Sequence, residues 1–254
     1  IDRPNSYIGR SVPRQNAKTH LDGGGQFVDD LVLPRMVHAA FLRSPFAHAE
    51  IKSIDVKNAK QSGGVIDVFT AKETDEVCKP WVGVLGHLGE MRSPEQSPLA
   101  KNIARWQGEP VAVVIANSRA QAEDALELIE VDWLEKDAQV DMETALDPNA
   151  VIIHSELGNN LFWTRTVNQG DVDKAFKEAD AVVETTLDFA RHTGVTLESR
   201  GIVADWNKAE NKMTIYHNGQ APHMMQHIIA KHLDLNEGLV RIISRDVGGS
   251  FGIK

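Results

Sequence analysis

Residues 111–134, VAVVIANSRAQAEDALELIEVDWL, carry the clearest structural signal in the sequence. The first six residues form a continuous apolar run, which is typical of a strand buried on both faces. Ser118 then precedes Gln121 by three residues, the pattern of a capping box at a helix start. Apolar residues recur with helical spacing on one face of that helix: Ala122, Ala125, Leu126 and Ile129. The segment therefore predicts a strand, a helix and a second strand, EVDWL.

This strand–helix–strand unit is interpreted as structural. Its first turn, ANSRA, lacks the glycines that bring a backbone close to a nucleotide. On its N-terminal side, MVHAAFLR, AHAEIKSID and VIDVFT predict paired strands within residues 36–70, with a short helix over residues 56–60. Residues 77–98 are rich in Gly and Pro and predict an irregular surface excursion.

Residues 137–152 predict a linker between two domains, because apolar periodicity lapses there and polar residues collect. Beyond it, Asp171 is the predicted N-cap of a helix with an apolar stripe expected to be buried: Val172, Ala175, Phe176 and Ala179. AVVETTLDFA, GIVADW, KMTIYHN and LVRIIS predict strands, and APHMMQHIIAKHLDL predicts a helix with Pro222 in its first turn. Short strands alternating with isolated helices favour an α+β fold.

Composition narrows the function classes. The 254 residues carry a formal net charge of −9, and no Lys/Arg run stands out, which argues against a nucleic-acid surface and an anionic membrane patch. No apolar stretch approaches the ~18 residues that cross a bilayer. Cys78 is the only cysteine, so the chain itself cannot form a disulfide or a multi-thiolate iron–sulfur or zinc cluster. A single cysteine fits a reducing compartment, and we expect a cytoplasmic location.

A glycine-rich motif occurs in residues 241–254, RIISRDVGGSFGIK. Its glycines would let the backbone approach a bulky anionic ligand, and Phe251 could wall the pocket. The motif is not a Walker loop, because Gly252 is followed by Ile253 rather than by Lys and Ser/Thr. A dinucleotide-binding turn would open a long helix and be followed by an acidic residue, so the motif is not interpreted as one either. Spacing alone leaves a ligand loop and a plain β-turn equally open.

Two other patterns favour plain structural interpretations. His223 and His227 have the spacing of a zinc pair, but Met224 occupies the place of the metalloprotease glutamate and no third ligand is evident. A solvated or capping role is favoured for both, and no metal-ligating residue is predicted in this chain. The three glycines of residues 22–27, DGGGQF, favour a flexible turn over a ligand loop.

Several stretches in one order resemble the molybdenum-binding subunit of the xanthine dehydrogenase/aldehyde oxidase family, which includes aerobic carbon monoxide dehydrogenase. They are GRSVPR, LPRMVHAAFLRSPFAHAEIKSIDVKNA, WQGEPVAVVIANSRAQAEDALELIEVDW, QGDVDKAFKEADAVVETT, HTGVTLESRGIVADW, GQAPHMMQ and VRIISRDVGGSFGIK. The ordered pair GQAP and VGGSFG is much more specific than either motif alone. The resemblance covers nearly the whole chain.

The resemblance implies an α/β-hammerhead domain over residues 16–136, followed by the first part of a mixed α/β molybdopterin-binding domain over residues 152–254. It also implies oxidation of an electron-poor carbon, with water as the oxygen source. The implied cofactor is molybdenum–molybdopterin in its cytosine dinucleotide form, with FAD and [2Fe-2S] clusters on partner subunits. The remaining partners implied are the rest of the molybdenum subunit and a small-molecule substrate.

Site residues follow from the same resemblance. Gln220 matches the glutamine that hydrogen-bonds the apical oxo group of molybdenum. Gly249, Ser250, Phe251 and Gly252 match the loop whose backbone N–H groups lie beside the cofactor, and Phe251 also borders the substrate channel. Two positions depart from the common pattern: Ser199, where many members have proline, and Ser250, where a third glycine is commoner.

Three questions stay open in the sequence. The chain is expected to be an N-terminal fragment or a naturally split subunit, inactive by itself. The substrate could be a purine, another N-heterocycle, an aldehyde or carbon monoxide. The alternative function is a cofactor-free interaction or assembly module that keeps the hammerhead fold.

Overall fold

The computed structural model describes residues 7–83 and 88–254, so part of the predicted surface excursion lies outside the described residues. Contacts divide the chain into two compact units. The first unit comprises residues 34–190 and 231–234, and the second comprises residues 7–33, 191–230 and 235–254. No helix in the described ranges is long and apolar enough to cross a lipid bilayer. The predicted domain boundaries, residues 16–136 and 152–254, stay predictions.

The secondary structure follows the predicted mixture of short strands and isolated helices. The strands are β1 (His38–Arg43), β2 (Ala49–Asp55), β3 (Val65–Thr70), β4 (Trp81–Val82), β5 (Glu95–Gln96), β6 (Ile103–Ala104), β7 (Pro110–Ala116), β8 (Glu130–Glu135), β9 (Ile202–Asn207), β10 (Lys212–His217) and β11 (Val240–Ile243). The helices are α1 (Ala17–Leu21), α2 (Lys57–Gln61), α3 (Ala71–Val77), α4 (Arg119–Leu126), α5 (Val172–Glu178) and α6 (Pro222–His232).

The core of the first unit forms around β7, as the apolar run predicted. β7 is the centre of a three-stranded sheet and is antiparallel to both neighbours, β1 and β3. Val111 and Val114 are fully buried, and the α4 residues Ala122 and Ala125 join the same core cluster as Val114. The Ser118 hydroxyl accepts the Gln121 N–H at 3.3 Å, which confirms the predicted helix start.

Strand pairing differs from the sequence-based expectation. The strands predicted as paired within residues 36–70 do not pair with one another. β1 and β3 flank β7, whereas β2 lies between β6 and β8 in a second three-stranded sheet. β7 and β8, which are neighbours in sequence, therefore belong to different sheets. Pairing partners are set by burial across long sequence separations, which local patterns do not encode.

Helix α3 was missed although its capping signal is present in the sequence. The Thr70 N–H donates to Glu73 Oε2 at 2.8 Å, and the Lys72 N–H reaches Thr70 Oγ1 at 3.4 Å. This T-x-x-E arrangement is a capping box. The helix follows β3 without a break, and the sequence analysis assigned only the strand, VIDVFT, in this region.

Two predictions for residues 172–190 are wrong. Asp171 does cap α5 by accepting the Lys174 N–H at 3.0 Å, but the predicted buried stripe is exposed, with Phe176 62% accessible. The predicted strand AVVETTLDFA is not a strand, and Leu187 is 87% accessible. All residues of 172–190 are exposed, because an apolar stripe is buried only where a second surface packs against it.

The second unit is built on the sheet β9-β10-β11. β9 is antiparallel to β10, whereas β10 and β11 are parallel and are connected through α6. Ile215, Ala230 and Val240 form its buried core, one residue from each of β10, α6 and β11. Because β10 and β11 run in the same direction, their carboxyl ends lie at one edge of the sheet.

Candidate functional site

The carboxyl edge of β10 and β11 carries both motifs of interest. Tyr216 pairs with Ile243 near the ends of the two strands. Gln220 lies three residues past the end of β10 and two residues before α6, and residues 248–252, the glycine loop, follow β11. Ligands of open α/β sheets bind outside the carboxyl ends of parallel strands, so this edge is the candidate site.

Buried hydrogen bonds fix the turn that carries Gln220. Asn218 is 1% accessible; its Nδ2 donates to the Ser199 carbonyl at 2.7 Å, and its Oδ1 accepts the Gly201 N–H at 3.0 Å. Ser244 Oγ donates to the His217 carbonyl at 2.7 Å, which ties the end of β11 to the end of β10. Gln220 itself is exposed at the end of this anchored turn.

Gly219 allows the turn to pass close to the ring of His217. A Cβ at position 219 would lie 2.1 Å from His217 Cε1. Burial lowers the pKa of His217, and the Lys254 ammonium lowers it further, so both favour the neutral imidazole. His217 Nδ1 is buried and has no hydrogen-bond partner among the described residues.

The glycine loop has an unusual backbone. Gly249, Phe251 and Gly252 have φ values of 97°, 49° and 83°, which lie in the left-handed region. One side of the loop is closed, since a Cβ at Gly248 would lie 2.4 Å from Glu198 Cβ. The other side is open: a Cβ at Gly252 would meet no atom within 4 Å, and Phe251 is 75% accessible.

An ion pair lies behind the closed side of the loop. Glu198 Oε2 accepts the Gly248 N–H and Lys254 Nζ, each at 2.8 Å. Burial acts to raise the pKa of Glu198, but the hydrogen-bonded Lys254 ammonium, the nearby Asn218 amide and the Gly248 N–H together outweigh it, so the pKa is lowered. Glu198 is therefore an ionised carboxylate at neutral pH.

The open side of the loop is suited to an anionic group. The N–H groups of Gly249, Ser250 and Phe251 make no hydrogen bond within residues 7–83 and 88–254. Successive free backbone donors in a turn form a concavity that accepts anionic oxygens. A phosphate- and dithiolene-bearing pterin cofactor therefore fits the chemistry of this loop, and Gln220 offers an uncharged amide donor at the same sheet edge.

The sequence analysis predicted Gln220 and the glycine loop as site residues but gave no role to the residues behind them. Three of these residues contact partners far away in the sequence, which no local sequence pattern predicts: Glu198, Asn218 and His217. The LESRG motif served only as a landmark of resemblance. His227 Nδ1 lies 2.5 Å from Glu237 Oε1, and the described ranges contain no group of three His, Cys, Asp or Glu residues arranged for a metal ion.

Comparisons with known proteins identify the family and the fold of the chain. The family model for the aldehyde oxidase and xanthine dehydrogenase a/b hammerhead domain matches residues 22–137, and that for the molybdopterin cofactor-binding domain matches residues 153–254. The chain belongs to the xanthine dehydrogenase/aldehyde oxidase family. The predicted fold, a hammerhead followed by the beginning of a molybdopterin-binding domain, is thereby confirmed.

Relatives within this family are identical to the chain at about a third of the aligned positions. The nicotine 6-hydroxylase large subunit of Paenarthrobacter nicotinovorans is 33% identical, with 100% of this chain and 32% of the relative aligned. The carbon monoxide dehydrogenase large chain of Afipia carboxidovorans is 31% identical, with 91% of this chain and 30% of the relative aligned. The chain thus spans about a third of the length of these curated family members.

A solved structure of the family has the same fold. The crystal structure of quinoline 2-oxidoreductase from Pseudomonas putida 86 superposes with a TM-score of 0.91 at 34% identity. The match covers 96% of this chain and 31% of the quinoline enzyme's chain.

Proposed function

We propose that this chain is part of a molybdenum hydroxylase subunit. Such an enzyme oxidises an electron-poor carbon of an N-heterocycle, an aldehyde or carbon monoxide and takes the oxygen from water. The observation that carries the proposal is the placement of Gln220 and the glycine loop at the shared carboxyl edge of β10 and β11, together with the two family matches.

Within that function, the chain's own residues hold and orient the cofactor. The backbone N–H groups of Gly249, Ser250, Phe251 and Gly252 would face anionic oxygens of molybdopterin, and Gln220 would donate its amide to a terminal oxygen on molybdenum. The bound cofactor supplies the two-electron oxidation chemistry. Phe251 walls the site and limits water there, since its ring cannot compete for hydrogen bonds.

We further propose the domain division at residues 16–136 and 152–254, the cytosine dinucleotide form of the cofactor, and partner subunits carrying FAD and [2Fe-2S] clusters. The exposed apolar residues between 161 and 190 support a partner polypeptide. Val183 is 90% accessible and Leu187 is 87% accessible, more than an isolated subunit surface commonly leaves uncovered. The rest of the molybdenum subunit is the proposed cover. The single cysteine supports the proposed cytoplasmic location.

The test is elemental and pterin analysis of the full-length subunit purified within its complex. We expect about one molybdenum and one pterin per subunit, together with dye reduction by at least one of purines, N-heterocycles, aldehydes or carbon monoxide. A properly assembled complex, grown with molybdate, that holds neither molybdenum nor pterin would instead favour the cofactor-free assembly module.

A further inference from the structure

Glu198 joins the two ends of the glycine loop. Its Oε2 accepts hydrogen bonds from the Gly248 N–H and from Lys254 Nζ, each at 2.8 Å. The backbone contact is reciprocal, because the Glu198 N–H donates to the Gly248 carbonyl at 3.2 Å. Gly248 begins the loop and Lys254 lies two residues past its end. One carboxylate oxygen of Glu198 therefore contacts residues at both ends of the loop.

The residues before Glu198 also face the loop. A Cβ at Gly194 would lie 2.6 Å from Phe251 Cβ, and a Cβ at Gly249 would lie 3.4 Å from Thr196 Cγ2. The intervening residues point away, with Val195 83% accessible and Leu197 fully exposed. Alternate residues of 194–198 therefore form a support beneath the loop, as in a strand.

The ion pair is shielded from solvent. The Lys254 side chain is 0% accessible and that of Glu198 is 14% accessible. A buried ammonium is tolerated when it is paired with a carboxylate, and removing one partner leaves an uncompensated charge. Separating the two side chains would therefore leave a buried charge unpaired, and this cost keeps the pair in place.

The loop needs such support because its backbone is unfavourable. Phe251 has a φ of 49°, a conformation that costs about 1–2 kcal/mol for a residue with a Cβ. Strained conformations persist where the surroundings determine them. The anchors that the surroundings provide here are Glu198, which contacts both ends of the loop, and residues 194–198 beneath it.

We propose that Glu198 is a positioning residue for the cofactor loop. Its ionised carboxylate, paired with Lys254, orients the backbone donors of residues 249–252 toward molybdopterin. This inference rests on the proposed function of the loop. Glu198 acts through the loop, and the hydrogen bonds to the cofactor come from the loop itself.

The test compares Lys254→Met, Glu198→Gln and the double variant in the full-length subunit within its complex. Each single change leaves one buried charge unpaired. We expect loop exchange, measured at the hydrogen-bonded N–H groups of Glu198, Gly248 and Ile253, to accelerate at least tenfold in cofactor-free subunit. Molybdopterin release from loaded subunit should accelerate by a similar factor. The double variant should recover most of both losses, because no unpaired charge remains.

The exposed pair Glu210–Lys212 is the matched control. Its Nζ–Oε2 distance is also 2.8 Å, but both side chains are more than half accessible. Lys212→Met and Glu210→Gln should leave loop exchange and cofactor release within twofold of wild type. Exchange in β10 should stay unchanged in all variants, which separates loop loosening from general destabilisation.

The outcomes distinguish the inference from the function it rests on. Loop exchange within twofold of wild type in both single variants would overturn the positioning role, as would a double variant with the summed losses of the two singles. A wild-type complex without molybdenum and pterin would refute the proposed function, while the exchange result would still report on the ion pair. If Lys254→Met does not accumulate, Glu198→Gln, which keeps an acceptor for the Gly248 N–H, decides the question.

Discussion

Asn218 offers the sharpest test of how the site is held. The change Asn218→Ala removes two hydrogen bonds, of 2.7 Å to the Ser199 carbonyl and 3.0 Å from the Gly201 N–H. A buried polar group left without a partner costs about 1–3 kcal/mol. Ser199 is exposed, so water can satisfy its carbonyl, whereas Gly201 is half-buried. We therefore expect a local loss of about 2 kcal/mol, dominated by the Gly201 N–H.

Hydrogen exchange of the full-length subunit, measured by mass spectrometry, reports this local loss of stability directly. Because each 1.4 kcal/mol corresponds to a factor of ten, the peptide covering residues 199–204 should exchange about 30-fold faster in Asn218→Ala. The turn that carries Gln220 should loosen with it, since Asn218 anchors that turn.

Asn207→Ala is the matched control for this prediction. Asn207 ends β9, and its Oδ1 accepts the N–H groups of Ala209 and Glu210 at 3.1 and 3.2 Å in an exposed turn. Water replaces those bonds, so exchange there should change by about threefold or less. Equal effects of the two substitutions, or an unchanged rate at residues 199–204 in Asn218→Ala, would refute the reasoning.

Four further predictions follow from particular residues. In the full enzyme, Gln220→Ala should lower turnover on the order of 10²-fold at equal molybdenum content; unchanged turnover contradicts its role. Because the pKa of His217 is lowered in the folded state, the unfolded chain binds more protons than the folded chain below about pH 6.5. The free energy of unfolding should therefore fall as the pH drops through that region, and His217→Gln should make this pH dependence less steep. Gly64→Ala should cost at least about 1–2 kcal/mol in denaturant unfolding, because φ is 86° and the added Cβ would lie 2.2 Å from Gln121 Nε2, whereas Gly63→Ala, with open space around it, should cost much less. Limited proteolysis should cut within residues 137–152, which are mostly exposed, and cleavage inside β7 or α4 instead would contradict the predicted linker.

The candidate site illustrates why sequence resemblance pointed to some residues and not to others. Gln220 and the glycine loop stand in short contiguous motifs, so they could be proposed as site residues from the sequence. Glu198 lies 56 positions from Lys254, and no local pattern indicates that their side chains meet. The role of Glu198 became visible only when the distances to Gly248 and Lys254 were known.

Local chemistry in the sequence determined the elements whose stability depends on near neighbours. The apolar run of β7 and the Ser118 cap of α4 predicted a buried strand and a helix start, and the contacts of a few adjacent residues are enough to form both. Asp171 likewise caps α5 as predicted. Burial of the α5 stripe was not determined in this way, because burial requires a second surface.

Tertiary structure decided which elements meet. β1 and β3 both pair with β7, and β2 pairs with β8, although each of these strands has a nearer neighbour in sequence. The backbone N–H and C=O groups are the same in every strand. Alternation of side chains therefore predicts that a segment is a strand but does not predict which strand it pairs with. The burial of many side chains at once selects the pairing. The same selection places the ends of β10 and β11 side by side and creates the candidate site.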